Sequence, residues 1–133
     1  MSTAPDIQND FSHEIIGAAV EVQRVLGTGL SEDAYAAALA IELAEREIGF
    51  TRDVALSATY KGRSLGEVYR AGFVVEQSVI VELRAVDVLT DLHRAQVLAA
   101  LRLSGLKLGL LINFNVFPVV KGVHRIVSKP RNC

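Results

Sequence analysis

Two charged residues interrupt the most apolar segment of the chain. Glu82 and Arg84 lie two apart in the run SVIVELRAV, residues 78–86, so in a strand their side chains share one face. Hydrolysis of a phosphodiester with a hard divalent ion needs this kind of pairing: carboxylates cluster around Mg²⁺, and a cation faces the attacked phosphate. An ion pair at the end of a sheet needs the same two residues, because a carboxylate in an apolar strand is costly to bury alone. Spacing by itself favours that structural role. Glu32 is ambiguous in the same way, since acids in the first turn of a helix complement its dipole. His93 and Gln96, three apart on a later helix, are surface neighbours. A histidine in a capping region is more often a hydrogen-bonded structural residue than a base. Gly27-Thr28-Gly29 lacks the preceding strand that a nucleotide-binding glycine loop requires. Lys61, Arg63 and Arg70 gather around one hairpin and offer charge to phosphate, although charges at a hairpin tip usually serve as solvated surface.

These residues need a framework. Phe11 and Ser12 open a first helix, with Ser12 as the cap and Phe11 stapled to Ile16. Ile15, Ile16, Ala19, Val22 and Leu26 follow helical spacing. Gly27-Thr28-Gly29 ends that helix. A second begins at once, with Leu30 before the cap, Ser31 as the cap and Tyr35 completing another staple. It ends at Gly49. From Thr51 the pattern becomes that of strands: residues 54–60, the turn Lys61-Gly62-Arg63, and residues 65–75. The connection Glu76-Gln77 then leads to the central strand at 78–86. Thr90 caps a third helix that closes at Gly105, followed by a buried strand at 108–114 and an edge strand at 123–127. The order ααβββαββ predicts an α/β fold of the α+β type, a mixed central sheet flanked by helices, with a helical crossover joining parallel strands. Residues 1–10 read as a flexible tail and residues 11–133 as one domain.

Composition narrows the class. The chain has 133 residues, enough for one good core, and is 50 % hydrophobic with mean hydropathy +0.32. Disorder over most of the length is excluded. No stretch approaches ~18 uncharged apolar residues, so no membrane span is expected. Residues 1–10 carry no basic residue or apolar run of the signal-peptide kind. The single cysteine, Cys133, excludes an internal disulfide and a zinc cluster built on thiolates. A cytoplasmic protein is the expectation. With no tryptophan, a stacking platform for single strands is poorly supported. Net charge is −1, yet residues 1–53 hold ten acids against three bases and residues 54–133 hold five acids against eleven. A basic face for nucleic acid is one reading of this split. A dipolar subunit whose two sides pair within or between chains is the other, and the near-neutral total favours it. An apolar excess also fits burial against another chain, although two buried strands and their helices account for much of it.

Across the turn into the second helix, Gly29-Leu-Ser-Glu32-Asp-Ala-Tyr35 reads G-x-x-E-x-x-Y. Further along stand Tyr60-Lys61-Gly62, Tyr69-Arg70-Ala71, the segment 79–85, His93-x-Ala95-Gln96, the segment 109–114 and Arg125-Ile126-Val127. In their order and spacing these motifs resemble the GxxExxY family of the PD-(D/E)XK nuclease superfamily over nearly the whole chain. The resemblance implies a restriction-endonuclease-like core with an acidic metal site at one end of the sheet. It makes Glu32 the helix glutamate, Glu82 the strand glutamate and Gln96 the glutamine of the following helix. Two positions depart. The family reads Y-R-A-D-F where this chain has Tyr69-Arg70-Ala71-Gly72-Phe73, so a metal-binding aspartate is replaced by Gly72. The family's E-L-K is here Glu82-Leu83-Arg84, so the catalytic lysine has become Arg84.

Loss of a carboxylate weakens the hold on a hard cation, and an arginine cannot shed the proton that a base must lose. The resemblance therefore implies a degenerate nuclease site, with Arg84 lying between Glu82 and Glu32 where a metal would sit. No cofactor is expected; Mg²⁺ or Mn²⁺, held weakly by Glu82 and Glu32, enters only with residual nuclease activity. The expected role is a self-assembling or binding module, a homo-oligomer with a closed and even large assembly. The alternatives are a weak Mg²⁺- or Mn²⁺-dependent nuclease using Glu32, Glu82 and Gln96, and nucleic-acid binding without cleavage.

Overall fold

Two helices, α1 (Ser12–Leu26) and α2 (Glu32–Glu45), pack together on one side of the molecule. The computed structural model describes residues 10–128; the segment before Asp10 and Cys133 lie outside that range. Helix α1 buries Ile15, Ala18, Ala19, Val22 and Gln23. Its start differs from the sequence expectation. Phe11 occupies the cap position in a left-handed conformation (φ 70°), and Ser12 is the first helical residue. Asp10 accepts instead, from the Ser12 N–H at 3.0 Å and the Ser12 hydroxyl at 2.7 Å. A carboxylate is a stronger acceptor than a hydroxyl at the positive end of a helix. Leu26, expected on the inner stripe, is exposed. The inward position goes to Gln23, whose amide donates to the carbonyls of Phe114 and Val116 and accepts from the Val119 N–H at 2.8 Å.

Helix α2 begins as its sequence suggests, with the Ser31 side chain accepting from the Ala34 N–H. Tyr35 does more than staple. It is fully buried, and its ring stacks on Phe114 with centroids 4.6 Å apart. Its hydroxyl donates to the Gly27 carbonyl at 2.7 Å and accepts from the Leu30 N–H at 3.2 Å.

Five strands form one mixed sheet in the order β1-β2-β3-β4-β5: β1 (Phe50–Tyr60), β2 (Arg63–Val75), β3 (Val79–Arg84), β4 (Leu108–Asn113) and β5 (Val123–Val127). Strand β1 begins four residues before the expected start. Only β3 and β4 are parallel, joined by the crossover helix α3 (Asp91–Ser104). Alternation divides the core in two. Val79, Val81, Leu83, Leu110 and Ile112 pack under α1 and α2, whereas Ile80 and Leu111 pack under α3 with Val97, Ala100 and Leu101. This is why β3 and β4 are apolar on both faces. No helix among the described residues is long and apolar enough to cross a membrane.

At Gly109 helix α3 lies close against the sheet. A Cβ there would lie 2.6 Å from Val97 Cγ1. Gly109→Ala is therefore expected to destabilise the protein by about 1–3 kcal/mol through overpacking, read as a lower midpoint in urea. An unchanged midpoint would show that α3 can move away freely.

Strand β2 pairs with β1 along its length but with β3 only through residues 73–75. Beyond Phe73 it leaves β3 and runs on with β1 as a two-stranded arm. Every residue from 59 to 68 is exposed. The sheet is thus forked, and the fork opens between Gly72 on β2 and Glu82 on β3.

Candidate functional site

At the fork the Gly72 N–H has no ladder partner on β3 and turns to the Glu82 carboxylate, 3.3 Å from each oxygen. The Tyr69 hydroxyl donates to Glu82 Oε2 at 2.8 Å. Glu82 is 5 % exposed, and burial pushes its pKa above the ordinary value. The bonds from Tyr69 and Gly72 and the charge of Arg84 oppose that rise without cancelling it, and the negative charge of Glu32 adds to it. Burial also raises the Tyr69 pKa, reinforced by the charge and hydrogen bond of Glu82. Tyr69 therefore stays protonated and keeps donating.

Arg84 does not bridge the two glutamates. Its Nη1 donates to the Leu83 carbonyl at 2.8 Å and its Nη2 to Gln96 Oε1 at 3.2 Å. The Glu82 carboxylate is 3.9 Å away, at the limit of an ion pair, and no ion pair joins Arg84 to Glu32 among the described residues. The physical reason is that Glu82 already has close donors in Tyr69 and Gly72, while Gln96 on α3 presents an unclaimed amide oxygen. Glu32 is exposed at the start of α2 and lines the opposite wall of the cleft.

That cleft, of about 180 Å³, is lined by Glu32, Asp33, Asp53 and Glu82 on the acidic side and by Arg52 and Arg84 on the basic side. Asp53 lies across from Gly72, between the pairs Arg52↔Phe73 and Val54↔Ala71, with φ 53°. The Arg52 guanidinium lies 5.3 Å from the centre of the Phe73 ring. Sequence reasoning missed Asp33, Arg52 and Asp53, whose placement depends on strand register and on how α2 meets the sheet. It also gave no role to Tyr69, although the quoted Tyr69-Arg70-Ala71 motif carried a signal.

The other candidates are dispersed. Lys61 and Arg63 stand at the turn of the arm, away from the cleft. Arg70 is held by Glu67 at 2.6 and 3.0 Å and by the Asp53 carbonyl at 3.0 Å. The His93 side chain accepts from the Thr90 N–H at 2.9 Å in a capping box, the structural role anticipated for it.

The divalent ion implied by the resemblance does not fit this donor set. Glu82 is the sole buried carboxylate among the described residues, Gly72 has no ligand atom, and the Gln96 oxygen is taken by Arg84. No three Asp, Glu, His or Cys side chains among the described residues converge to hold a metal. What the arrangement offers is a buried carboxylate held by its own chain. Its raised pKa means that Glu82 contributes stability below its unfolded value of 4.5, and that this contribution is lost as pH rises through the folded value. Glu82→Gln cannot titrate. The stability of the wild type relative to this variant is expected to fall as pH rises from about 4.5, measured by urea unfolding across pH. A flat difference would place the carboxylate in an environment like water.

Searches of curated proteins and of solved structures return no match. The family model of the PD-(D/E)XK nuclease superfamily matches residues 9–126, nearly the whole chain. With that match, and with a mixed five-stranded sheet and three α-helices among its described residues, the chain belongs to the PD-(D/E)XK nuclease superfamily and has its restriction-endonuclease-like α+β fold.

Proposed function

We propose that this chain is a GxxExxY-type member of the superfamily in which the nuclease site is degenerate, and that it acts as a self-assembling module of the cytoplasm. One observation carries the reading: where a metal-binding aspartate is expected, Gly72 gives its backbone N–H to Glu82. The carboxylate that should face a cation is thereby satisfied from within the chain. Arg84, tied to Gln96, supplies fixed positive charge and no base. Residues 11–133 serve as one domain in this reading.

Calorimetric titration with Mg²⁺ and Mn²⁺ tests the site, together with incubation of plasmid and single-stranded DNA with Mn²⁺ beside Glu82→Ala. No binding heat and no cleavage are expected. Cleavage that Glu82→Ala abolishes would overturn the reading in favour of a weak nuclease. Self-assembly draws support from the acidic first part and basic second part of the chain and from exposed apolar residues on α1, α2 and the arm. Light scattering at micromolar concentration is expected to give a multiple of 14.4 kDa; a monomer would sink this part. Retention on DNA that falls steeply with salt would instead mark a nucleic-acid binder.

A further inference from the structure

Next to the fork the arm formed by β1 and β2 packs toward α3 through Val54, Leu56 and Tyr69, but its outer part, residues 59–68, is exposed throughout. A two-stranded ribbon in water is marginally stable by itself, yet this one carries large apolar side chains outward: Tyr60, Leu65 and Val68. Two register shifts account for two of them. The ladder passes from Leu56↔Tyr69 to Ser57↔Glu67 and from Ala58↔Gly66 to Thr59↔Ser64, so Val68 and Leu65 are the extra residues of two bulges. Bulges add twist and re-aim side chains. At the turn, Lys61 and Arg63 have no ion-pair partner among the described residues, and the Lys61 ammonium lies 5.4 Å from the centre of the Tyr60 ring.

A second uncovered surface lies between α1 and α2. There Val25, Leu26, Ala38 and Ile41 line a shallow groove of about 170 Å³ bordered by Glu21 and Glu42. Val25 and Ile41 are each 63 % exposed. The two border acids have internal partners in Arg24 and Arg46. Glu45, one turn beyond Ile41 and on the same face, has no ion-pair partner among the described residues. The groove is therefore apolar with an unmatched acid beside it, and the arm is apolar with two unmatched cations at its tip.

We propose that the arm of one copy seats in the α1–α2 groove of a second copy, Tyr60 and Leu65 covering Val25 and Ile41 while Lys61 and Arg63 meet Glu45. This rests on the self-assembly reading above and gives it an interface. The charge complementarity selects the occupant: a basic apolar tip fits an acidic apolar groove, and both are present on every copy. A nucleic acid would take the two cations but leave Leu65, Val68 and the groove in water. Because the two surfaces differ, the contact is heterologous and adds copies head to tail, closing into a ring when the rotation permits.

The test uses two variants at exposed positions. One carries Tyr60→Asp with Leu65→Asp in the arm; the other carries Val25→Asp with Ile41→Asp in the groove. Circular dichroism melts check that both fold, and light scattering reads mass. Each variant alone is expected to be monomeric, with association weakened at least tenfold. An equimolar mixture is expected to recover a two-chain complex, because it contains one intact arm and one intact groove. A wild-type oligomer whose mass neither variant changes would overturn this interface while leaving self-assembly standing. So would a mixture that stays monomeric, or either variant associating alone through a like-with-like contact. A monomeric wild type would overturn both readings. If Lys61→Glu with Arg63→Glu then loses salt-dependent retention on duplex DNA, the arm is a nucleic-acid contact instead.

Discussion

Gly72→Asp combined with Arg84→Lys is expected to produce a protein that melts below the wild type in the absence of metal and recovers in Mg²⁺ or Mn²⁺. A Cβ at position 72 would lie 3.1 Å from Glu82 Oε1, tighter than an ordinary contact, so the carboxylate must yield by a few tenths of an ångström. The new aspartate then sets a second negative charge against a buried carboxylate whose pKa burial already raises. Lysine at 84 gives up the fork of donors that ties Arg84 to Leu83 and Gln96. Together these changes cost about 1–3 kcal/mol. Two carboxylates side by side are also what a hard cation needs. A metal present at 100 times its Kd returns about 2.7 kcal/mol, enough to reverse most of the loss. Thermal melts over a metal series provide the readout, with the wild type as the flat control. A wild type stabilised as strongly as the variant would show that Gly72 has not emptied the site of its metal chemistry.

The reach of the sequence can be judged from particular residues. Helices and strands were legible where apolar spacing is long and the boundary chemistry clear: Ser31 and Thr90 cap as expected, Gly105 ends α3, and the two-sided apolar run of β3 marks a central strand. The glutamate of that strand was legible as a costly buried charge. Competition among partners was not. Asp10 displaces Ser12 as the acceptor at α1, and Gln23 turns inward because three backbone groups between Phe114 and Val119 need it. Arg84 chooses Gln96 because Tyr69 and Gly72 reach Glu82 first. The fork is the largest omission. Where β2 leaves β3 depends on which strand pairs persist, and that single register brings Arg52 and Asp53 to the cleft and the Tyr69 hydroxyl to Glu82.

The signature G-x-x-E-x-x-Y divides its labour, and the tyrosine is expected to carry the larger stability effect. Tyr35→Ala removes a fully buried ring stacked on Phe114 and is expected to cost about 3–5 kcal/mol. Tyr35→Phe keeps the ring and deletes one hydroxyl. That hydroxyl satisfies the Gly27 carbonyl and the Leu30 N–H in the turn between α1 and α2. Leaving them unmatched is expected to cost about 1–2 kcal/mol. Glu32 is exposed and has no ion-pair partner among the described residues, so Glu32→Ala should stay within about 0.5 kcal/mol of the wild type. Urea unfolding of the three variants gives the ranking directly. A Tyr35→Phe protein as stable as the wild type would mean that water replaces the hydroxyl at no cost and that the ring alone sets the requirement. If the expected ranking holds, the tyrosine fixes the turn from which α2 departs, and so fixes where Glu32 meets the fork. Tyr35 then serves the fold first, because removing it unmakes the core whether or not the cleft does chemistry.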